Sequence, residues 1–275
     1  MFGPSILARS LSAKTITRKG TATVWQYHPR SDRHSKVACW GIVFDLLAQC
    51  TLLKSHVKAG KICFGINHEM RDFKQNRKKN LDLVLGTPDG DTTHENESLA
   101  SYADRHGILL DRSERQILTG LPTMKQASVG SVVLALEAKA CMTEHGKARP
   151  RLYDELNSSQ LTIHGDSIDA IAAGFVMINA STSFLSPTRS GETTVHRQPQ
   201  ATEQVVAKVR ELPRRNGPAD TGFDALAIVI VDCGNDGSPV EIVTEAPALP
   251  VNDIFSYQSM IHRLSAVYAS RFPSL

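Results

Sequence analysis

An acid and a lysine lie one residue apart at the end of an apolar run, where a buried strand has no structural use for charge. The stretch is "VVLALEAKA", in which Glu137 and Lys139 follow the apolar residues 132–136. Residues i and i+2 of a strand project from one face, so both side chains share a face. A second short strand, "LDLVLG" at 81–86, contains Asp82 on the face opposite Leu81 and Leu83. If the two strands pair, two carboxylates and an ammonium group meet.

Such a group of side chains is suited to metal-assisted hydrolysis of a phosphodiester. Two carboxylate oxygens are typical ligands of Mg²⁺, which fills its other positions with water and phosphate. A lysine beside the ion can orient or deprotonate a water molecule, and it can neutralise charge that develops on the phosphoryl group. The alternative is an ordinary salt bridge at a strand end. The chain's other acid-x-lysine, "DFK" at 72–74, lies in a polar segment that we predict to be helical.

The pattern of Asp82 followed by Glu137-x-Lys139 resembles the PD-(D/E)XK nucleases, which include the type II restriction endonucleases. The resemblance covers roughly residues 60–180. It implies that Asp82, Glu137 and the carbonyl of Ala138 hold Mg²⁺ and that Lys139 acts on the attacking water. The family often carries a further acid on a preceding helix. Glu69, in "INHEMRDF", matches that position and would assist with a second ion.

Two features depart from the family pattern. Leu81 stands where a proline often precedes the aspartate, and 54 residues separate Asp82 from Glu137. An insertion over 87–130 must therefore leave the two strands side by side. If it separates them, the predicted site does not exist.

Basic side chains near both motifs suggest contacts with a phosphate backbone. One group precedes the Asp82 strand, and the other follows the Glu137 strand. The candidates for nucleic-acid binding are Lys74, Arg77, Lys78, Lys79, Lys147, Arg149 and Arg151.

The remaining chain alternates apolar strands with helices, which predicts an α/β fold with a mixed sheet flanked by helices. We expect strands at 21–28, 170–180 and 225–234, and helices at 97–106 and after Pro150. A long helix is predicted from an N-cap at Ser35 to Gly60, and a last helix from a cap at Asn252. Residues 186–204 read as a loop or linker. We predict a single nuclease domain, in which 1–60 form an arm and a buried helix, 61–180 the catalytic core, and 181–275 the completing strand and helix.

Composition limits the class of protein. The 275 residues are 41% hydrophobic, enough for a core, and the net charge of +3 neither requires nor excludes a polyanionic partner. Five irregularly spaced cysteines without C-x-x-C favour a reducing cytoplasm. No uncharged apolar run approaches the ~20 residues of a membrane span. The first 31 residues carry five basic and no acidic side chains, as in a basic arm, a plain surface or a mitochondrial targeting peptide.

The resemblance implies a Mg²⁺-dependent endonuclease acting on double-stranded DNA, and the chain lacks the phosphate-binding glycine loops, HExxH and GxSxG of other enzyme classes. The resemblance also implies a homodimer with a restriction or phage-defence role, which leaves room for a partner protein of a defence system. One alternative is a partner-activated nuclease effector without sequence specificity of its own. The other is a nucleic-acid-binding subunit of the same fold without catalysis.

Overall fold

The computed structural model describes residues 1–16, 23–90, 97–189, 191–217 and 220–275. Within these ranges the helices are α1 (Gly3–Ser12), α2 (Arg33–Gln49), α3 (Thr51–Lys58), α4 (Leu99–Arg105), α5 (Arg112–Gly120), α6 (His145–Asp166), α7 (Gln200–Arg210) and α8 (Tyr257–Arg271). The strands are β1 (Thr15–Ile16), β2 (Val24–Trp25), β3 (Cys63–Asp72), β4 (Arg77–Pro88), β5 (Val129–Cys141), β6 (Ile171–Asn179), β7 (Ser183–Leu185), β8 (Thr193–Val195), β9 (Ala225–Asp232) and β10 (Glu241–Ile242).

Six of the described strands form one mixed sheet in the order β10-β9-β6-β5-β4-β3. Strands β3, β4 and β5 form an antiparallel meander, β5, β6 and β9 run parallel, and β10 closes one edge antiparallel to β9. Helix α6 makes the crossover from β5 to β6, as a parallel pair requires. The predicted α/β class with a mixed sheet flanked by helices is confirmed.

The two faces of the sheet carry separate apolar clusters. On one face α1, α2 and α8 bury Trp40, Phe44 and Tyr268 against the sheet. On the other face α6 and α7 bury Leu156 and Val205. The central strands β6 and β9 are covered on both sides, which explains their nearly unbroken apolar sequences. The strands predicted at 170–180 and 225–234 are confirmed.

The single helix predicted from Ser35 to Gly60 is wrong, because the chain breaks at Cys50 into α2 and α3. Cys50 has extended backbone angles and its Sγ accepts a hydrogen bond from the Leu53 N–H, which starts the second helix. Asp32 occupies the N-cap position, and Ser35 lies one turn inside. No single described helix is long and apolar enough to cross a bilayer; α2 and α3 meet that criterion only together, across a bend of 99°.

Asp45 lies inside the α1–α2–α8 contact and organises it. Its side chain is buried, and its oxygens accept hydrogen bonds from the Phe2 N–H (2.9 Å), the Gly3 N–H (2.8 Å) and the Tyr257 hydroxyl (2.9 Å). The Tyr257 hydroxyl lies so close to Gly3 that a Cβ there would approach it to 2.0 Å. Asp45 thus joins the start of α1 to α8, and only glycine fits at position 3.

The segment around Glu69 is a strand, whereas the sequence predicted a helix for Glu69 and for "DFK". Residues 63–72 pair with β4 from Cys63↔Gly86 to Asp72↔Arg77, and 73–76 form the turn between the strands. Glu69 and Arg71 are exposed on β3, which forms an edge of the sheet, whereas Asp72 at the end of the strand is buried. Their polar spacing had suggested a helical face.

Three further expectations need correction, because tertiary contacts extended or moved the elements. Helix α6 already starts at His145 and carries Pro150 inside it. The predicted loop 186–204 contains β8 and the start of α7, and its residue 190 lies outside the described residues. Helix α8 begins after an N-cap at Ser256, whose side chain accepts from the Ser259 N–H, and Asn252 lies in the preceding turn. The helix predicted at 97–106 is confirmed as α4.

The N-terminal cations have neighbours within the fold. Arg9, on the buried helix α1, pairs with Glu114 at 2.6 Å, and Lys14 donates to the Asp236 carbonyl. The strand predicted at 21–28 is reduced to Val24–Trp25, paired with β1. Its first two residues, like Arg18 and Lys19, lie outside the described residues.

Candidate active site

The backbone pairing of β4 with β5 ends next to Asp82, whose carboxylate continues the contact between the two strands. The ladder between them extends from Pro88↔Val129 to Leu83↔Leu136. At the next position Asp82 Oδ2 accepts a hydrogen bond from the Ala138 N–H at 2.8 Å. The N–H and C=O of one strand residue point to the same side, so the Ala138 carbonyl also points toward Asp82. The insertion over 87–130 therefore leaves Asp82 beside the Glu-x-Lys motif.

Glu137 is a buried carboxylate with one bonded and one unbonded oxygen. Its side chain is 2% exposed, and Oε1 lies 2.7 Å from Lys139 Nζ and 3.6 Å from Lys79 Nζ. Oε2 is buried and makes no hydrogen bond with any described residue. Such an unsatisfied oxygen is costly and is usually explained by a missing ion, water or catalytic role.

The oxygen atoms at this site suit a Mg²⁺ ion that keeps most of its coordinated water molecules. Nowhere among the described residues are three or more His, Cys, Asp or Glu side chains grouped as metal ligands. Mg²⁺ typically binds one or two carboxylates and completes its shell with water and substrate phosphate. Asp82, the free oxygen of Glu137 and the Ala138 carbonyl supply that smaller set.

Helix α6 adds a carboxylate that the sequence analysis did not identify. Glu155 Oε2 lies 3.5 Å from Lys139 Nζ, and its Oε1 lies 2.6 Å from Arg151 Nε. The Glu155 carbonyl accepts from Lys79 Nζ at 2.7 Å. Lys79 and Lys139 are thus both held between Glu137 and α6. In the sequence only the i,i+4 spacing of Arg151 and Glu155 was visible, and that spacing does not predict a contact between Glu155 and Lys139.

Burial raises the pKa of both strand carboxyls. For Asp82, desolvation outweighs the hydrogen bond from Ala138 and the attraction of Lys139. For Glu137, desolvation, helped by repulsion from Asp82, outweighs the attraction of Lys139 and Lys79. Both anions are therefore less stable here than in water, and a nearby cation would stabilise them.

The two lysines respond in opposite directions. Desolvation lowers the pKa of Lys79 by more than Glu137 and Glu155 raise it. Desolvation also opposes the charged form of Lys139, but the attraction of Glu137, Asp82 and Glu155 outweighs it, and the pKa of Lys139 rises. Lys139 is therefore held as an ammonium group.

The site opens into a cleft of about 850 Å³ between the sheet, the start of α2 and the start of α6. Asp82, Ala138 and Lys139 line it, whereas Glu137 lies buried beneath. Its walls also carry four further cations, Arg30, Lys147, Arg151 and Arg189, and three further acids, Asp32, Glu144 and Glu155. Glu144 pairs with Lys147 and Arg189, and Glu155 pairs with Arg151, so the lining carries both signs of charge.

The start of α2 contributes further polar groups that sequence reasoning missed. Asp32 lines the cleft near Asp82, which it repels, and pairs with Lys36 at 2.8 Å. His34 also lines the cleft, and burial together with Lys139 lowers its pKa to about 4, so its imidazole is neutral at neutral pH. No local motif marks either residue, because their place beside Asp82 arises from packing of α2 on β4 and β5.

Of the predicted nucleic-acid contacts, some lie at the cleft and some lie far along the β3–β4 hairpin. Lys147 and Arg151 line the cleft, and Arg149 is half-buried away from it. Lys74, Arg77 and Lys78 are exposed on the hairpin. Lys79 points into the site, as its contacts with Glu137 and Glu155 show.

Glu69 lies on the exposed edge strand β3, where its side chain is 53% exposed and pairs with Lys78 at 2.7 Å. The structure gives it no contact with Asp82 or Glu137 among the described residues. Asp32 and Glu155 are the acids that the fold brings near the motif.

In comparisons with known proteins, no protein-family model, curated protein or solved structure matches the chain.

Proposed function

We propose that the protein is a Mg²⁺-dependent endonuclease that hydrolyses phosphodiester bonds of double-stranded DNA, with a restriction-endonuclease-like fold. One observation carries the proposal: the Asp82 carboxylate accepts a hydrogen bond from the backbone N–H between Glu137 and Lys139, and Glu137 Oε2 is buried without a hydrogen-bond partner among the described residues. A salt bridge alone would explain Oε1 of Glu137, which Lys139 contacts, but would leave the second oxygen unexplained.

The residues divide the work as follows. Asp82, Glu137 and the Ala138 carbonyl would hold Mg²⁺, which when bound supplies Lewis-acid polarisation of the phosphate and of a water molecule. Lys139 lines the cleft beside Glu137 and carries a full positive charge, which suits it to orient the attacking water and to balance charge on the phosphoryl oxygens. In the reaction the water oxygen bonds to phosphorus and gives one proton to the solvent, the bond from phosphorus to one ester oxygen breaks, and that oxygen takes up a proton from the solvent.

Supporting side chains hold Lys139 in place. Glu155 contacts Lys139 on the side away from Glu137 and is itself held by Arg151. Lys79 contacts Glu137 and the Glu155 carbonyl, so the buried carboxylate keeps a cationic neighbour when Lys139 engages a substrate. Such second contacts fix a reacting group within the narrow range that catalysis requires.

The test uses supercoiled plasmid DNA with purified wild type and Lys139→Ala, each in Mg²⁺ and in EDTA. We expect wild type to nick or cut only in Mg²⁺, and Lys139→Ala to lose that activity. Lys208→Ala is the matched control, since Lys208 also pairs with a carboxylate, Glu211 at 2.6 Å, but lies on α7 away from the cleft. Cleavage that persists in Lys139→Ala would overturn the assignment of the site.

The second candidate is a nuclease that a partner must activate. The burial of Glu137 favours it, because a carboxylate that is 2% exposed must become accessible before an ion reaches it. Purified wild type would then bind DNA but leave the plasmid intact until the partner is added, whereas a restriction enzyme would yield discrete fragments.

The first candidate, a restriction enzyme, is expected to act as a homodimer, because cutting both strands of a duplex is simplest with two symmetric sites. Light scattering with and without DNA tests this expectation.

A further inference from the structure

The tip of the β3–β4 hairpin presents a large aromatic side chain to solvent. Phe73 is 69% exposed in the turn 73–76, and the guanidinium of Arg71 lies 5.6 Å from the centre of its ring. Single exposed apolar side chains are common on protein surfaces, but Phe73 is the only aromatic one among the large hydrophobic residues that are exposed in the described part of the chain.

The turn that carries Phe73 is firmly anchored. Asp72 is 3% exposed and accepts hydrogen bonds from the Lys74 N–H at 2.9 Å and the Gln75 N–H at 3.1 Å. Its carboxyl packs on α6 at Gly165, where a Cβ would approach it to 2.5 Å. Asp166, next on α6, accepts from the Arg71 N–H at 2.7 Å. These contacts fix the turn, so that Phe73 projects into solvent and does not fold back onto the core.

The charge around Phe73 identifies the partner's chemistry. Lys74 lies in the turn and Arg77 directly follows it, and both are exposed. Asp72, the acid that directly precedes the turn, is buried and accepts hydrogen bonds from backbone N–H groups. An aromatic ring among exposed cations is the combination that contacts nucleic acids, since the cations meet phosphates and the ring stacks on a base.

We propose that this hairpin is a DNA-contacting arm, in which Phe73 stacks on a base while Lys74 and Arg77 contact the flanking phosphates. The proposal rests on DNA being the substrate of the cleft. Asn76 lies six residues before Asp82 on the same extended segment, and at ~3.3 Å per residue the tip lies roughly 20 Å from the candidate site. That span equals about six base pairs at ~3.4 Å each, so the arm extends the footprint to one side of the cut.

Equilibrium binding to a labelled 30-base-pair duplex, in Ca²⁺ and over a range of salt concentrations, tests the arm. Phe73→Ala should weaken binding about fivefold or more, and the slope of log affinity against log salt should stay unchanged, because a stacked ring releases no counterions. Lys74→Ala and Arg77→Ala should instead each flatten the slope by about 0.9. Val195→Ala, which trims another exposed apolar side chain, is the control and should change neither quantity.

Phe73→Trp gives a direct readout of stacking. Its added fluorescence, measured above the background of Trp25 and Trp40, should be quenched when DNA binds, and affinity should be retained. Unchanged affinity in Phe73→Ala, or an added tryptophan that DNA does not quench, would overturn the proposal and point to a protein partner. Absence of any DNA binding by wild type at low salt would overturn it as well. Stacking by Phe73 without cleavage in any metal would instead support the arm and remove the nuclease function.

Discussion

Asp45 and Glu137 are both buried carboxylates, and their surroundings differ in one respect. Asp45, 1% exposed, receives hydrogen bonds from two backbone N–H groups and a tyrosine hydroxyl. Glu137, 2% exposed, has two lysines at one oxygen and no bond at the other. Burying a carboxylate is tolerable when every lone pair finds a donor, and costly when one does not. Asp45 therefore holds elements together, whereas Glu137 is kept at a cost to stability that function must explain.

The same contrast separates the neighbouring residues. The hydrogen bonds that Tyr257 and the start of α1 donate to Asp45 serve only the packing of the helices. Around Glu137, Lys139 and Glu155 line an open cleft, and Lys79 lies 3.6 Å from the same carboxylate. A substitution at each carboxylate should consequently act on a different property of the protein.

The largest expected effect is on cleavage by Glu137→Gln. If Glu137 holds Mg²⁺ as proposed, removing its charge should cost several kcal/mol of transition-state stabilisation, or a rate loss of about 10³-fold or more. The free energy of unfolding should change by about 1 kcal/mol or less, because the desolvation cost of the Glu137 anion is removed while Glu155 still pairs with Lys139. Plasmid cleavage rates and urea unfolding measure the two properties, and Asp82→Asn should behave alike. A variant that cuts DNA at a wild-type rate contradicts the function assigned to Glu137.

Asp45→Asn should show the reverse behaviour. The substitution replaces a charged acceptor of three hydrogen bonds by an amide, whose own N–H groups would face N–H donors. We therefore expect it to lower the free energy of unfolding by about 3 kcal/mol. Cleavage per folded molecule should be unchanged, as measured at a temperature well below the unfolding transition. If Asp45→Asn instead removed activity without loss of stability, the distinction between the two carboxylates would fail.

Added cation should stabilise the protein in a pH-dependent way. The raised pKa values of Asp82 and Glu137 mean that these groups favour folding while protonated, and that this contribution is lost as pH rises through the folded-state values. A divalent ion competes with those protons, so its stabilisation should grow with pH. We expect about 2.7 kcal/mol when the ion exceeds its Kd a hundredfold near neutrality, and progressively less as the pH falls and protons compete for the two carboxylates.

Thermal unfolding with Mg²⁺ or Ca²⁺ at several pH values checks this dependence, and Glu137→Gln serves as the control that should show none. An equal cation effect at both ends of the pH range, or an equal effect in the variant, would argue for ions bound elsewhere on the surface.

The sequence predicted those parts of the fold that local pattern determines. The apolar runs of β5, β6 and β9 specify buried strands on their own, and Glu137 and Lys139 stand out because they interrupt such a run. The break at Cys50 carried no glycine or proline signal, since packing on α8 and not local propensity bends the chain there.

The parts of the site that could not be predicted are contacts between distant segments. Glu155 meets Lys139 because α6 crosses back over β5, and Asp32 meets Asp82 because α2 packs on the opposite face. Neither contact leaves a spacing in the sequence. The pairing of β4 with β5 across the insertion was a conditional expectation, and the hydrogen bond between Asp82 and Ala138 fulfils that condition.

The smallest expected effect comes from Glu69→Gln, and it tests whether the edge strand contributes to the chemistry. Glu69 is half exposed and paired with Lys78 in solvent, where such pairs stabilise a protein by about 0–1 kcal/mol. Cleavage should stay within about twofold of wild type, because neither site carboxylate loses a neighbour. The freed Lys78 should steepen the salt dependence of DNA binding by up to about 0.9, and this gain should vanish in the Lys78→Ala background. A tenfold or larger loss of cleavage would instead return Glu69 to the metal-binding acids, and would mean that the hairpin moves toward Asp82 when DNA binds.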